Sequence, residues 1–156
     1  ITGSAVITVT KADQALSYMD TRLRRELGDR PVLRALHYWR ENDLVLKRWD
    51  ALQAGDIDAF LELTRESGAS SAMFLQNVSV GGAPEQSAMV ALGLAERLLE
   101  GRGACRIHGG GFGGSIQAFV PVERVDAFLA GMDSWFGEGA SRHYRIVPEG
   151  AAYAWL

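Results

Sequence analysis

The stretch Arg106-Ile107-His108-Gly109-Gly110-Gly111-Phe112-Gly113-Gly114-Ser115 decides how the rest of this chain is read. Half of it is glycine, and the alternating run Ile116-Gln117-Ala118-Phe119-Val120 follows directly. Glycine clusters arise where the backbone must adopt positive φ or approach another group closely. With strand-like residues on both sides, this cluster reads as a tight loop between two β-strands. Successive N–H groups in such a loop can line a concave nest that suits an anion such as phosphate. A glycine-rich turn that binds nothing fits the pattern equally well.

The 156 residues suffice for one sizeable core and one domain. Apolar residues make up 47% and charged residues 22%, a globular balance rather than a disordered one. A net charge of −3, with no basic stripe interleaved with aromatics, argues against nucleic acid as a partner. Arg22, Arg24 and Arg25 form a basic patch, but Glu26 and Asp29 dilute it into a solvated helix face. Cys105 is the single cysteine, so a reducing compartment fits. The chain has no run of about 18 apolar residues and no basic start followed by an apolar core. The expectation is a soluble, cytoplasmic protein with no membrane partner. The sequence begins at Ile1 without an initiator methionine, which suggests a piece of a longer protein.

Outward from the loop, Ala104–His108 and Ser115–Val120 are expected to pair as a β-hairpin. Pro121 opens a helix with the stripe Val122, Val125, Leu129, Met132 and Phe136, which Gly137 and Gly139 close. Arg142–Val147 reads as a last strand. Upstream, Ser4–Thr10 is a half-buried strand by alternation. A helix from Asp13 carries Ala15, Leu16, Met19 and Leu23 on one face and stops at Gly28. Asp29-Arg30-Pro31 starts a long helix, with Pro31 suited to a first turn. Its Leu36, Trp39, Leu46 and Trp49 are expected to pack inward. Gly55-Asp56 breaks and recaps the chain into a helix running to about Ser67. After the turn Gly81–Pro84, Pro84-Glu85 opens another helix, with acid at its N-terminus. Met89, Val90, Leu92, Leu94, Ala95, Leu98 and Leu99 surround it, so it is expected to be central. The fold class is α+β, with a ferredoxin-like split βαβ antiparallel sheet and an enlarged helical insertion in one domain over residues 1–156.

Gly109, Gly111 and Gly114 satisfy G-x-G-x-x-G, but a strand rather than a helix follows, so the dinucleotide-binding reading fails. No V-A-I-K, H-R-D or D-F-G element supports a protein kinase, and no G-x-S-x-G elbow accompanies the HGGG of an esterase. His37, His108 and His143 lack zinc-binding spacing. His37 is expected to be a hydrogen-bonded packing residue, and His143 to be partly exposed on a strand. His108 abuts the nest, where an imidazole could donate to a phosphate oxygen, although a structural role fits as well. The carboxylate pairs Asp56/Asp58 and Glu62/Glu66 read as solvated helix faces.

Gly103-Ala104-Cys105-Arg106-Ile107-His108-Gly109-Gly110-Gly111-Phe112-Gly113-Gly114 resembles the third motif of the GHMP small-molecule kinases, in the form found in galactokinases. The resemblance extends to Gly28–His37, Leu52–Phe60, Leu75-Gln76-Asn77-Val78 and Pro84-Glu85-Gln86, in the right order. The histidine before the glycines is similar to a bacterial subgroup. Where the family has S-H-x-S, this chain has Ser67-Gly68-Ala69-Ser70, without the histidine. The family's sugar-binding signature, its ATP loop and its catalytic aspartate and arginine lie in an N-terminal half and do not appear here.

The resemblance therefore implies the C-terminal domain of an ATP-dependent sugar 1-kinase. ATP and Mg2+ would serve the full-length enzyme, with neither held tightly by this chain. His108, Gly109, Gly110, Gly111, Phe112, Gly113, Gly114 and Ser115 would border the nucleotide phosphates, with no catalytic residue and no metal ligand. The partners implied are a missing N-terminal kinase domain, a small-molecule sugar and ATP. The isolated chain is expected to be inactive and to self-associate through an exposed interdomain surface. The alternative is a stand-alone, non-catalytic binding, regulatory or dimerisation module on the same fold.

Overall fold

Local chemistry sets most of the element boundaries. A computed structural model describes residues 21–146, with side chains described from Arg24 onward. The expected Ser4–Thr10 strand and the start of the first helix lie outside the described residues. In order, the elements are α1 (Thr21–Leu27), α2 (Asp29–Ala54), α3 (Ile57–Ser70), a π-turn (Ser71–Leu75), α4 (Ser87–Leu99), β1 (Ala104–His108), β2 (Ser115–Phe119), a 3-10 turn (Val122–Arg124) and α5 (Val125–Phe136).

Asp29 begins α2, where a carboxylate favours the positive end of the helix dipole, and it pairs with Arg24 of α1. Gly55 ends α2 in the left-handed conformation, its N–H reaching Ala51 and Leu52. Asp56 then caps α3 by accepting from the Ala59 amide at 2.9 Å. At the other end of the chain, Asp133 of α5 gathers the backbone N–H groups of Gly139 and Ser141, both at 2.9 Å, and the Ser141 hydroxyl at 2.6 Å. Those bonds, the hydroxyl first, hold its carboxyl below the ordinary range.

β1 and β2 pair antiparallel, from Ala104 opposite Phe119 to His108 opposite Ser115, with Gly109–Gly114 joining them. Both α3 and α4 contact β1, and α5 packs on α4. Ala95, Leu99, Cys105, Phe128 and Met132 form one buried cluster, and Val78, Ala88 and Ile107 a second. Leu92 and Ile116 pack against both. Phe60 meets Phe119 edge to face at 5.1 Å, tying α3 to the end of the hairpin. Gly103 fits the junction of α4 and β1 because a Cβ there would lie 2.4 Å from the Phe119 carbonyl oxygen and 2.6 Å from Leu99. The architecture is α+β, helices around an antiparallel hairpin.

Several expectations are corrected. Leu46 and Trp49 point outward, Trp49 with 61% of its surface exposed. The inward face of α2 runs instead through His37, Glu41, Leu44, Arg48 and Ala51, at helical spacing but half polar. α4 starts at Ser87, after Glu85, so its first turn carries no acid. Met89 and Val90 are exposed, and the face that Ala88, Ala95 and Leu99 define is the buried one. On α5 the buried residues are Phe128 and Met132; Val122 precedes the helix in the 3-10 turn and is 88% exposed. Residues 142–146 belong to no ladder with a described strand, and His143 is exposed there. A strand is defined by its hydrogen-bonded partner, which alternation alone does not supply. α3 runs to Ser70, longer than expected, and continues into the π-turn.

Candidate functional site

The glycine loop sits at the tip of the hairpin and is held there by Asn77. The π-turn ends at Gln76, whose left-handed φ of 58° turns the chain so that Asn77 follows directly under the loop. Asn77 is only 1% exposed. Its backbone oxygen accepts the Phe112 N–H at 2.7 Å, and its side-chain Nδ2 donates to the Gly110 oxygen at 3.3 Å. Phe112 takes a φ of 57°, a conformation that a non-glycine residue rarely keeps without such a tether. Gly111, at φ 83°, has no room for a side chain: a Cβ would fall 2.3 Å from the Asn77 oxygen.

The outer side of the loop is different. Nothing lies within 4 Å of where a Cβ would stand on Gly109, Gly110 or Gly113. Among the described residues, the amides of these three glycines donate to no protein acceptor. Gly114 closes the loop with a bond from its N–H to the Gly111 oxygen at 3.3 Å. His108 and Ser115, opposite each other at the mouth of the hairpin, are both exposed, and the Phe112 ring is 46% exposed. All eight residues expected at the site thus cluster at one exposed tip. Unpaired amides on an open, side-chain-free surface fit an anion.

Below the tip, β1 is anchored by a polar group that joins three elements. Glu41 of α2 accepts from Arg106 of β1 at 2.9 Å and from Arg48 at 2.8 Å. It also lies 2.6 Å and 2.8 Å from the Ser67 hydroxyl of α3. Burial pushes the Glu41 carboxyl upward, but the Ser67 hydrogen bond, the Arg106 charge and hydrogen bond and the Arg48 charge together hold it below its ordinary value. One turn earlier, His37 Nδ1 meets the Ser70 hydroxyl at 3.0 Å. Burial is the largest influence on His37 and lowers its pKa, so the neutral ring is favoured.

The histidine-less Ser67-Gly68-Ala69-Ser70 segment thus carries two of these contacts, on Ser67 and Ser70. Gly68 between them lets α3 approach β1, since a Cβ there would lie 3.1 Å from the Cys105 oxygen and 3.3 Å from the Arg106 Cβ.

A cleft of about 400 Å³ opens beside this group, lined by Arg34, His37, Tyr38, Glu41, Asn42, Val45 and Leu75. It lies away from the glycine tip. The remaining sequence candidates take structural roles: Asp56 caps α3, Glu62 pairs with Arg65, and Glu66 pairs with Arg40. Arg65 also donates to the Gly103 oxygen at 3.0 Å. Cys105 is buried, and burial first, with Glu96 second, raises its thiol to about 11, so it stays protonated. Among the described residues no group of three or more His, Cys, Asp or Glu side chains converges to hold a metal.

Sequence reading missed Glu41, and it gave Asn77 and Arg106 no role beyond their places in stretches that resemble galactokinases. The only local signs were an arginine inside an apolar strand and serines three residues apart on a helix that needed partners.

Over 93 residues the chain is 39% identical to a galactokinase from Mannheimia succiniciproducens, a match covering 60% of this chain and 23% of that protein. Over these residues the chain is similar to galactokinases. A galactokinase from Chloroflexus aggregans is 37% identical over 102 residues, covering 65% of this chain and 24% of that protein. A galacturonokinase from Arabidopsis thaliana is 35% identical over 102 residues, covering 63% and 22%. The galactokinase-like chain therefore spans about a quarter of the length of the curated relatives it matches. No family model matches the chain, and no solved structure gives a significant match. No described helix is long and apolar enough to cross a membrane.

Proposed function

We propose that this chain is the C-terminal domain of a galactokinase-type, ATP-dependent sugar 1-kinase, and that its hairpin tip borders the phosphates of the nucleotide. The observation that carries the reading is the loop itself: an exposed glycine surface whose outer amides lack protein acceptors and whose inner side is pinned to Asn77. Similarity to named galactokinases supplies the chemical class.

Bound MgATP supplies the transferable phosphoryl group and the charge that must be stabilised. This chain's share is to present backbone N–H groups at fixed positions, with His108 and Ser115 beside them. Such positioning contributes only when the other groups of the site converge on the same phosphates. Those groups belong to an N-terminal kinase domain, which would also bring the sugar. The isolated chain is accordingly inactive and binds nucleotide weakly. Its exposed α2 residues Val45, Trp49 and Leu52 favour self-association when nothing covers them. The fold that belongs with this reading is the ferredoxin-like split βαβ sheet, with α1 to α4 as its enlarged crossover.

Gly111→Val in the full-length enzyme tests the loop. A β-branched residue resists φ 83° and meets the Asn77 oxygen, so the tip must move while the hairpin below it remains. The expected result is a loss of kcat/KM for ATP of roughly 100-fold, with the far-ultraviolet circular dichroism unchanged. Wild-type kinetics in this variant would return the loop to a turn without a ligand.

A further inference from the structure

We propose that Asn77 is the positioning residue for the nucleotide loop; this rests on the reading of that loop as a phosphate site. Asn77 grips two adjacent peptide units of the tip in opposite senses. Its Nδ2 draws the Gly110 carbonyl inward, and its backbone oxygen draws the Phe112 N–H inward. In a trans peptide the carbonyl and the following N–H point in opposite directions. Pulling the Gly110 oxygen inward therefore turns the Gly111 N–H away from Asn77. The direction of that amide, on which an anion contact depends, is set by a side chain 33 residues away.

The arrangement comes with an unpaired acceptor. Asn77 Oδ1 is buried and has no partner among the described residues. A buried acceptor left unpaired is unfavourable, and most buried polar atoms avoid it. Rotating the amide would place Oδ1 against the Gly110 oxygen and abolish the grip. The amide orientation is thus the one that satisfies the loop.

The backbone bond from Phe112 to Asn77 survives any substitution at position 77, so variants there probe the side chain alone. Asn77→Asp keeps the shape but sets a carboxylate oxygen against the Gly110 oxygen and repels it. In the full-length enzyme it is expected to raise KM for ATP roughly tenfold and leave KM for the sugar unchanged. Equal changes in both constants, or no change, would overturn the proposal. Asn77→Ser, too short to reach Gly110 and uncharged, should show the same split and serves if the aspartate variant fails to fold. Hydrogen exchange on the unmodified enzyme provides a check that requires no variant: MgADP should slow exchange of the Gly111 amide. An unaffected Gly111 amide counts against the proposal.

The two levels separate cleanly. If Gly111→Val leaves ATP kinetics intact, the phosphate reading fails. If Gly111→Val impairs them while Asn77→Asp does not, only the role of Asn77 fails.

Discussion

The two helical surroundings of β1 are built on different principles. Toward α4 and α5, Cys105 joins Ala95, Leu99, Phe128 and Met132 in an apolar cluster. Toward α2 and α3, Arg106 joins Glu41, Arg48 and Ser67 in a mostly buried polar group. Neighbouring residues on one short strand thus face opposite kinds of contact, as strand alternation allows. The apolar side gains most of its free energy from area removed from water and tolerates repacking. On the polar side, breaking one partner strands the others, so it admits one arrangement of α2, α3 and β1. The strand that leads into the glycine tip is therefore held in depth by apolar packing and in register by charge.

Substitutions on either side can break this contrast. Phe128→Ala should have the largest effect, destabilising by about 4 kcal/mol in a urea titration, because a buried aromatic leaves a cavity. Glu41→Ala should cost about 3 kcal/mol, since it leaves Arg106 and Arg48 unpaired in a largely enclosed site. A cost near zero for the second would mean that water replaces the carboxylate and that the polar side sets no register.

A smaller effect should appear with pH. His37 and Glu41 both have pKa values below their ordinary ones in the folded chain, so the unfolded chain binds more protons in the windows between. The stability each contributes is complete above its unfolded pKa and is lost as pH falls through its folded pKa. Thermal midpoints should therefore decline first on acidification below about pH 6.5 and again below about pH 4.3. His37→Gln should abolish the first decline and leave the second. Midpoints that rise on acidification in either window would contradict the neutral His37 or the ionised Glu41.

What the sequence disclosed follows the same division. The hairpin, the break at Gly55-Asp56 and the start of α2 at Asp29 were legible because turn and cap chemistry is local. The tip residues His108 to Ser115 were legible as a group for the same reason. The inward face of α2 was not. His37 was expected to pack through a hydrogen bond, and it does, but apolar periodicity selected Leu46 and Trp49 while the inward face also includes Glu41 and Arg48. A half-polar buried face carries no hydrophobic signal until its partners are known, and Arg106 is 65 residues from Glu41 in the chain. Asn77 stood in a block that resembles galactokinases, but its contact with the loop was hidden likewise. Its importance lies in a loop that reaches it only after the chain has passed through α4 and β1.

The π-turn at Ser71–Leu75 adds a constraint of another kind. Each residue advances an α-helix by roughly 100°, and the wider turn accommodates an extra one without unwinding the helix before it. The segment from Ser71 to Asn77 consequently works as a counted spacer. Adding or removing one residue would swing Asn77 to another side of the helix axis. At this point the chain is constrained by how many residues it has as well as by which ones.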